Sequence, residues 1–305
     1  MERWRKIGRI FRPGQYAWLH THAQNPFPEP IGDGIFRVHF AARDKNNLAR
    51  GAYFDFNINN PHTILNISTR PTIDLGALGT FDDSGVMPSC IIDYKGMRYM
   101  YYTGWSKAVT VPFSFHIGLA ISKNGGKLYD RVSLAPVLGR SCHDPYITGA
   151  PYVIIENNIF KMWYVSATGW VLEKGSSKPK HYYTIKYAES QDGLFWKTNF
   201  DLCIPYKEGE YAIARPVVFK EDGIYEMWFS FRGGNDTYRM GTASSTDGKK
   251  WARDPESVGI NISENGWDAE MICYAYPFYY KSTLYALYNG NGYGATGMGL
   301  AIADL

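Results

Sequence analysis

The chain has 305 residues, enough for one large β domain or two small ones, and 45% of them are hydrophobic, so a sizeable core can be buried. Net charge is +3 with no long basic block, which excludes nucleic acid as the main partner. No apolar stretch follows Met1–Lys6, so neither a signal peptide nor membrane insertion is expected. Cys90, Cys142, Cys203 and Cys273 lie far apart without CxxC spacing; they read as reduced thiols, which argues for the cytoplasm and against a disulfide frame or a zinc site.

Taken in chain order, one strand pattern recurs. A weak first copy, NPFPEPIGDGIFRVHFAARD (25–44), leads into GAYFDFNI (51–58). VMPSCIIDYKGMRYMYYTGW (86–105) follows with HIGLAIS (116–122), then GAPYVIIENNIFKMWYVSATGW (149–170) with TIKYAES (184–190). ARPVVFKEDGIYEMWFSFRGG (214–234) precedes RMGTASS (239–245), and AYPFYYKSTLYALYNGNGYG (275–294) precedes MGLAIAD (298–304). Each copy reads as proline, apolar strand, polar turn and alternating aromatic strand; the prolines at 28, 88, 151, 216 and 277 set a pitch of 60 to 65 residues. Fourth strands follow Asp-Gly turns in SQDGLFWKT (190–198) and STDGKKWAR (245–253), wording that resembles the Asp-box of some propellers with the spacing off by one. The last copy stops after its third strand, and RWRKIGRIFRP (3–13) supplies the missing fourth, with Trp4 standing where Trp196 and Trp251 stand.

The pattern predicts an all-β chain: a single five-bladed β-propeller domain over 1–305, its ring closed by the N-terminal strand completing the last blade. The blades are expected near 14–75, 76–140, 141–206, 207–262 and 263–305 plus 1–13.

Residues entering an innermost strand face the propeller axis, and there the sequence turns polar. The candidates are His20 and His22, then Asp82 and Asp83, His143 and Asp144, Tyr211 and Arg215, and Asp268 and Glu270. Converging carboxylates are what glycoside cleavage requires, one as acid and one as base or nucleophile. An Asp at these positions is equally suited to cap a turn, most of all Asp144 in His-Asp-Pro, whereas Glu270 has no evident capping task. Arg43, Trp105, Trp170 and Arg232 end second strands. The arginines with His20 and His22 suit an anion, unless each pairs with a nearby aspartate. The loop NGNGYG (289–294), with Asn289 and Asn291, is a further candidate wall of the funnel. His20 and His22 lack a third ligand, so no metal site and no cofactor are expected.

The segments HAQNPFP, LGTFDDSGVMPSC, EYAIARP, GWDAEMICY and YNGNGYG resemble bacterial glycosidase-like propellers that accompany surface-polysaccharide genes. The repeat architecture is similar to the five-bladed propellers of glycoside hydrolase families 32, 43, 62, 68 and 130. That resemblance implies cleavage or transfer at a glycosidic bond, with Glu270 as general acid, Asp83 as base or nucleophile and Asp144 tuning pKa or holding hydroxyls. Family 43 draws its carboxylates from the first three blades, but here the first presents His22. Family 130 holds phosphate with a basic cluster, which adds a phosphorylase, or an enzyme on a phosphate-linked sugar, as an alternative. A non-catalytic carbohydrate-binding propeller is the other: its carboxylates would each be locked by an arginine rather than facing each other across a cavity.

Overall fold

A computed structural model of the chain describes residues 3–123, 125–234, 237–255 and 258–304, and almost all its regular structure is β. Met1, Glu2 and Leu305, the ends of the expected closing unit, lie outside the described residues. After β1 (Arg3–Phe11), the strands β2 (Thr21–Gly32), β3 (Ile35–Arg43), β4 (Ala49–Asn57) and β5 (Asn60–Ile67) pair in order as an antiparallel meander. The arrangement recurs in β6 (Gly85–Tyr94), β7 (Met97–Lys107), β8 (Phe113–Ser122) and β9 (Asp130–Arg131). It recurs again in β10 (Thr148–Glu156), β11 (Ile159–Val171), β12 (Lys180–Ser190) and β13 (Lys197–Leu202). Next come β14 (Glu210–Glu221), β15 (Ile224–Gly233), β16 (Arg239–Ser245) and β17 (Ala252–Arg253). Finally β18 (Cys273–Tyr280), β19 (Thr283–Asn289) and β20 (Met298–Asp304) pair in order, and β20 takes β1 as its other neighbour. One helical turn, α1 (Asn291–Gly294), interrupts the last meander. No described helix is long and apolar enough to cross a membrane.

Each meander packs on the one before it, and the last touches the first through β18 and β19 on β2 and β1 on β5. Burial follows from that stacking. β3, β7 and β11 are buried on both faces along most of their length and β15 along its middle, whereas the outer strands β5 and β13 are largely exposed. The Ser-x-Asp-Gly turns have a packing task. Ser190 and Asp192 accept four backbone N–H bonds in their turn, and Ser245 and Asp247 repeat the set. Each turn presents its glycine carbonyl to the preceding meander: Tyr101 donates to Gly193 at 2.9 Å and Trp163 to Gly248 at 2.7 Å. The tryptophans beyond the turns follow suit, Trp196 packing edge-on to Tyr101 and Trp251 to Trp163. Trp4 packs in the same way on Trp228.

Every innermost strand carries a bulge, between Gln24 and Phe27, Pro88 and Cys90, Gly149 and Tyr152, Ala214 and Val217, and Cys273 and Tyr276. Four of the five bulges open with a residue in the left-handed region: Asn25, Ala150, Arg215 and Tyr274, with φ between 44° and 57°. The fifth opens with Pro88, whose ring forbids that conformation. The prolines used to align the repeat are therefore not all equivalent. Pro26, Pro151 and Pro216 share the second bulge position, while Pro28 and Pro277 sit two residues further on, opposite Val38 and Ala286.

Three bulge amides are satisfied by another meander. Ala150 N–H donates to Thr103 Oγ1 at 2.7 Å, Tyr274 N–H to Ser230 Oγ at 2.8 Å and Asn25 N–H to Asn289 Oδ1 at 3.0 Å. The acceptors occupy one equivalent position of their second strands. The corresponding residue before Pro88, which has no N–H, is Ala41.

Candidate functional site

The inner strands and bulges surround a cavity of about 330 Å³ to which every meander contributes. Gln24, Asn25, Arg43 and Asn47 come from the first, and Met87, Thr103, Trp105, Phe113 and Phe115 from the second. Ile147, Gly149, Ala150, Val165, His181 and Tyr183 come from the third, and Ala214, Arg232 and Tyr238 from the fourth. Tyr274 and Tyr293 complete the wall.

One side is a run of rings. Phe113 stacks on Phe115 with centroids 4.3 Å apart, and its edge meets Trp170 and His181. His181 lies between Trp170 and Tyr183, 4.9 Å from each. Phe113 and Phe115, like His181 and Tyr183, are two residues apart and so share one face of β8 and β12 respectively. The other side is built on Arg232, whose guanidinium lies over Tyr238, Tyr211 and Tyr293 and donates to the Tyr293 hydroxyl at 2.8 Å. Tyr293 is held there by a left-handed backbone (φ 60°) in the glycine-rich turn α1, a conformation costly for a tyrosine and therefore imposed by its surroundings.

Burial, then the nearby Arg232, pushes His181 down to about 4; burial, then Arg43, pushes His22 down to about 3. Both rings are neutral near pH 7. Burial also holds the Tyr183 phenol above its usual range, keeping it a neutral donor.

Of the residues singled out in the sequence, Arg43, Trp105 and Arg232 line the cavity. Tyr211 and Trp170 are not among its lining residues but pack against two that are, Tyr211 under the Arg232 guanidinium and Trp170 tilted on His181; Trp170 lies beyond a bulge in β11, so its position matches neither Trp105 nor Arg232. Arg215 is buried at 1% exposure, donating to the Ser89 carbonyl at 2.8 Å. His20 is exposed, and His22 bonds Thr21 within its own strand. His143 turns outward to Thr198 and Phe200 on β13. Among the described residues no group of three or more His, Cys, Asp or Glu could hold a metal ion.

The aspartates have a different task from the one expected of axial groups. Asp82, Asp144 and Asp268 are at most 2% exposed, and none lines the cavity. Each accepts from a tyrosine 20 residues further on: Tyr102 at 3.0 Å, Tyr164 at 3.1 Å and Tyr288 at 3.2 Å. Each also meets a cation from the third or fourth strand of its meander: Arg131 on β9 at 2.7 Å, Lys186 on β12 at 3.2 Å and Lys6 on β1 at 2.7 Å. The repeated clamp ties the entry of a meander to its second strand.

Asp83 accepts from Gly79 N–H and the Ser84 hydroxyl and so seats a turn. Glu270 is exposed, its own N–H held by Asn291 Oδ1. Asn289 and Asn291 act on backbone as well, Asn289 on Asn25 and Ala23, Asn291 on the Glu270 and Met271 amides.

Meanders packed in sequence about a cavity lined from all of them define a propeller, and the solved structures similar to this chain are of the glycoside hydrolase family 43 type. A BT0996 RGII complex matches with a TM-score of 0.76 at 16% identity, covering 98% of this chain and 90% of that one. A thermostable family-43 glycoside hydrolase matches at 0.64, with 16% identity over 96% and 92% of the two chains. An endo-arabinase from Bacteroides thetaiotaomicron VPI-5482 matches at 0.60, with 13% identity over 98% and 97%. By sequence the chain belongs to the family of two uncharacterized proteins of Mycobacterium tuberculosis, MT1551 (strain CDC 1551 / Oshkosh) and Rv1502 (strain ATCC 25618 / H37Rv). Each is 38% identical over 303 residues, with 99% of both chains covered. No protein-family model matches.

Proposed function

We propose that the meanders are the blades of one five-bladed propeller, closed by β1 on β20, and that its axial cavity binds carbohydrate without paired-carboxylate cleavage. The pairing of β1 with β20 and the Asn25–Asn289 bond between first and last meanders support the ring. The cavity wall carries the functional reading. Trp105, Phe113, Phe115 and Tyr183 offer flat faces to a sugar's C–H surface, with Gln24, Asn47 and Thr103 beside them for hydroxyls. Among its described lining residues there is no Asp or Glu.

Glycoside cleavage asks for two carboxyl groups about 5–10 Å apart flanking the bond. Here Asp144 is locked by Lys186, Asp83 holds a turn and Glu270 faces solvent. The glycoside hydrolases among the structural neighbours lend the ligand class by analogy of fold alone. The free cysteines, three of four buried, fit a reducing compartment such as the cytoplasm.

Calorimetric titration of glycans selected from an array tests the reading. Phe113→Ala is expected to weaken binding about tenfold or more, while D83N and E270Q stay within about threefold of the parent. Turnover of a glycan by the parent protein, abolished by D83N or E270Q, would overturn it in favour of the hydrolase.

A further inference from the structure

The cavity carries positive charge that nothing in its described surroundings neutralises. Arg43 donates to Gln24 Oε1 at 2.7 Å and Asn47 Oδ1 at 2.9 Å; Arg232 donates to the Tyr293 and Tyr183 hydroxyls at 2.8 and 3.4 Å. All four acceptors are neutral, and both Nε atoms are buried without a partner. Behind the wall Arg215, next to the lining residue Ala214, has only a backbone carbonyl on one Nη, its Nε and other Nη unpartnered.

Several other arginines are paired with carboxylates. Arg37 pairs with Asp55 at 2.8 Å, Arg253 with Glu210 at 2.6 Å, Arg131 with Asp82 at 2.7 Å and Arg50 with Asp44 at 2.9 Å. A charge held out of water without a counter-charge is unfavourable for folding, so the half-buried Arg43 and Arg232 on the wall and the buried Arg215 behind it point to compensation arriving from outside. Guanidinium forks match carboxylate and phosphate oxygens, and a phenol such as Tyr293 adds a neutral donor.

We propose that the cavity's ligand is anionic, the carboxylate of an acidic sugar or the phosphoryl group of a phosphate-linked one, seated on the wall formed by Arg43 and Arg232. This rests on the carbohydrate reading above and adds the ligand's charge. Lysine would not replace either arginine fully, because its point charge lacks the planar fork.

The test titrates the full chain and its R43M and R232M variants with inorganic phosphate, acetate, a panel of hexuronates, a panel of hexose 1-phosphates and the matching neutral methyl glycosides. At least one acidic sugar is expected to bind about tenfold tighter than its neutral counterpart, with that preference lost in either variant. Hexuronates responding would assign the carboxylate, and hexose phosphates the phosphoryl group. Thermal melts without ligand separate binding from folding: removing an unpaired charge leaves the melting temperature level or raises it, whereas a merely structural arginine lowers it. Neutral and acidic sugars binding alike, or variants indistinguishable from the parent on every probe, would overturn the proposal while leaving carbohydrate binding standing. Inorganic phosphate bound in an arginine-dependent way with no sugar response would keep the anion site and sink the carbohydrate reading.

Discussion

Replacing Asp144 by alanine is expected to lower the free energy of unfolding by about 3–5 kcal/mol, a large share of the stability of a typical domain. The carboxylate is fully buried and accepts from Tyr164, from Ser166 at 2.7 Å and from Lys186 at 3.2 Å. Without it the Lys186 ammonium, itself 3% exposed, keeps only the His143 carbonyl, and the hydroxyls of Tyr164, Ser166 and Ser141 lose this acceptor. D144N preserves the shape but not the charge, so it should lose most of the same stability. A catalytic Asp144 predicts the reverse: an unchanged urea melt and lost turnover. Urea unfolding of parent, D144A and D144N decides between them, and coincident curves would remove the clamp as an explanation. Asp82→Ala should cost less, because Arg131 is 18% exposed and water can take over part of its solvation.

That clamp shows how much of the chain was legible beforehand and where reading stopped. The meanders, their hairpin turns and the partnering of β1 follow from a period that any residue-level alignment exposes. The Asp–Tyr spacing was legible too: positions 20 apart read Asp82/Tyr102, Asp144/Tyr164 and Asp268/Tyr288, but His20/Phe40 and Gly209/Phe229 in the other two units. Where the tyrosine hydroxyl is missing the carboxylate is missing as well, which marks a hydrogen-bond pair inside one unit rather than a ring of axial acids. Polarity alone does not carry that distinction; pairing does.

The cavity's own residues were harder to see. His181, Tyr183, Phe113 and Phe115 sit at the starts of third strands, in segments whose lengths differ between units, so no alignment brings them together. Only the alternation in Phe113-Ser-Phe115 and His181-Tyr-Tyr183 hints at a shared face. Tyr293 depends on two successive left-handed residues in α1, a conformation its sequence permits but does not announce. Arg43 and Arg232 were legible as candidates; their freedom from carboxylates was not, because it depends on where the nearby aspartates are spent.

Acidification is expected to destabilise the protein steeply between pH 6.5 and about 4, before its carboxylates matter. Burial is the first cause in each of four histidines: His22 and His39 are pushed down to about 3, and His116 and His181 to about 4. His39 meets Glu29 at 2.9 Å, and with its pKa so depressed the ring is neutral there, a donor to the carboxylate rather than half of an ion pair. Because the folded pKa lies below the unfolded 6.5, the unfolded chain takes up protons first. The contribution is complete above pH 6.5 and falls away as pH drops toward the folded values. Each histidine then costs about 1.4 kcal/mol per pH unit, so at pH 5 each removes about 2 kcal/mol and the four together at most about 8. Glu156, held near 2 by hydrogen bonds from Lys161, Lys220 and Tyr225, begins to lose its contribution only below about pH 4.5, so its loss starts about two pH units below that of the histidines. Urea midpoints at pH 7, 6 and 5 should fall progressively, and H116Q should flatten the slope by about one proton's worth. A midpoint unchanged from pH 7 to 5 would mean these rings are not held neutral by burial.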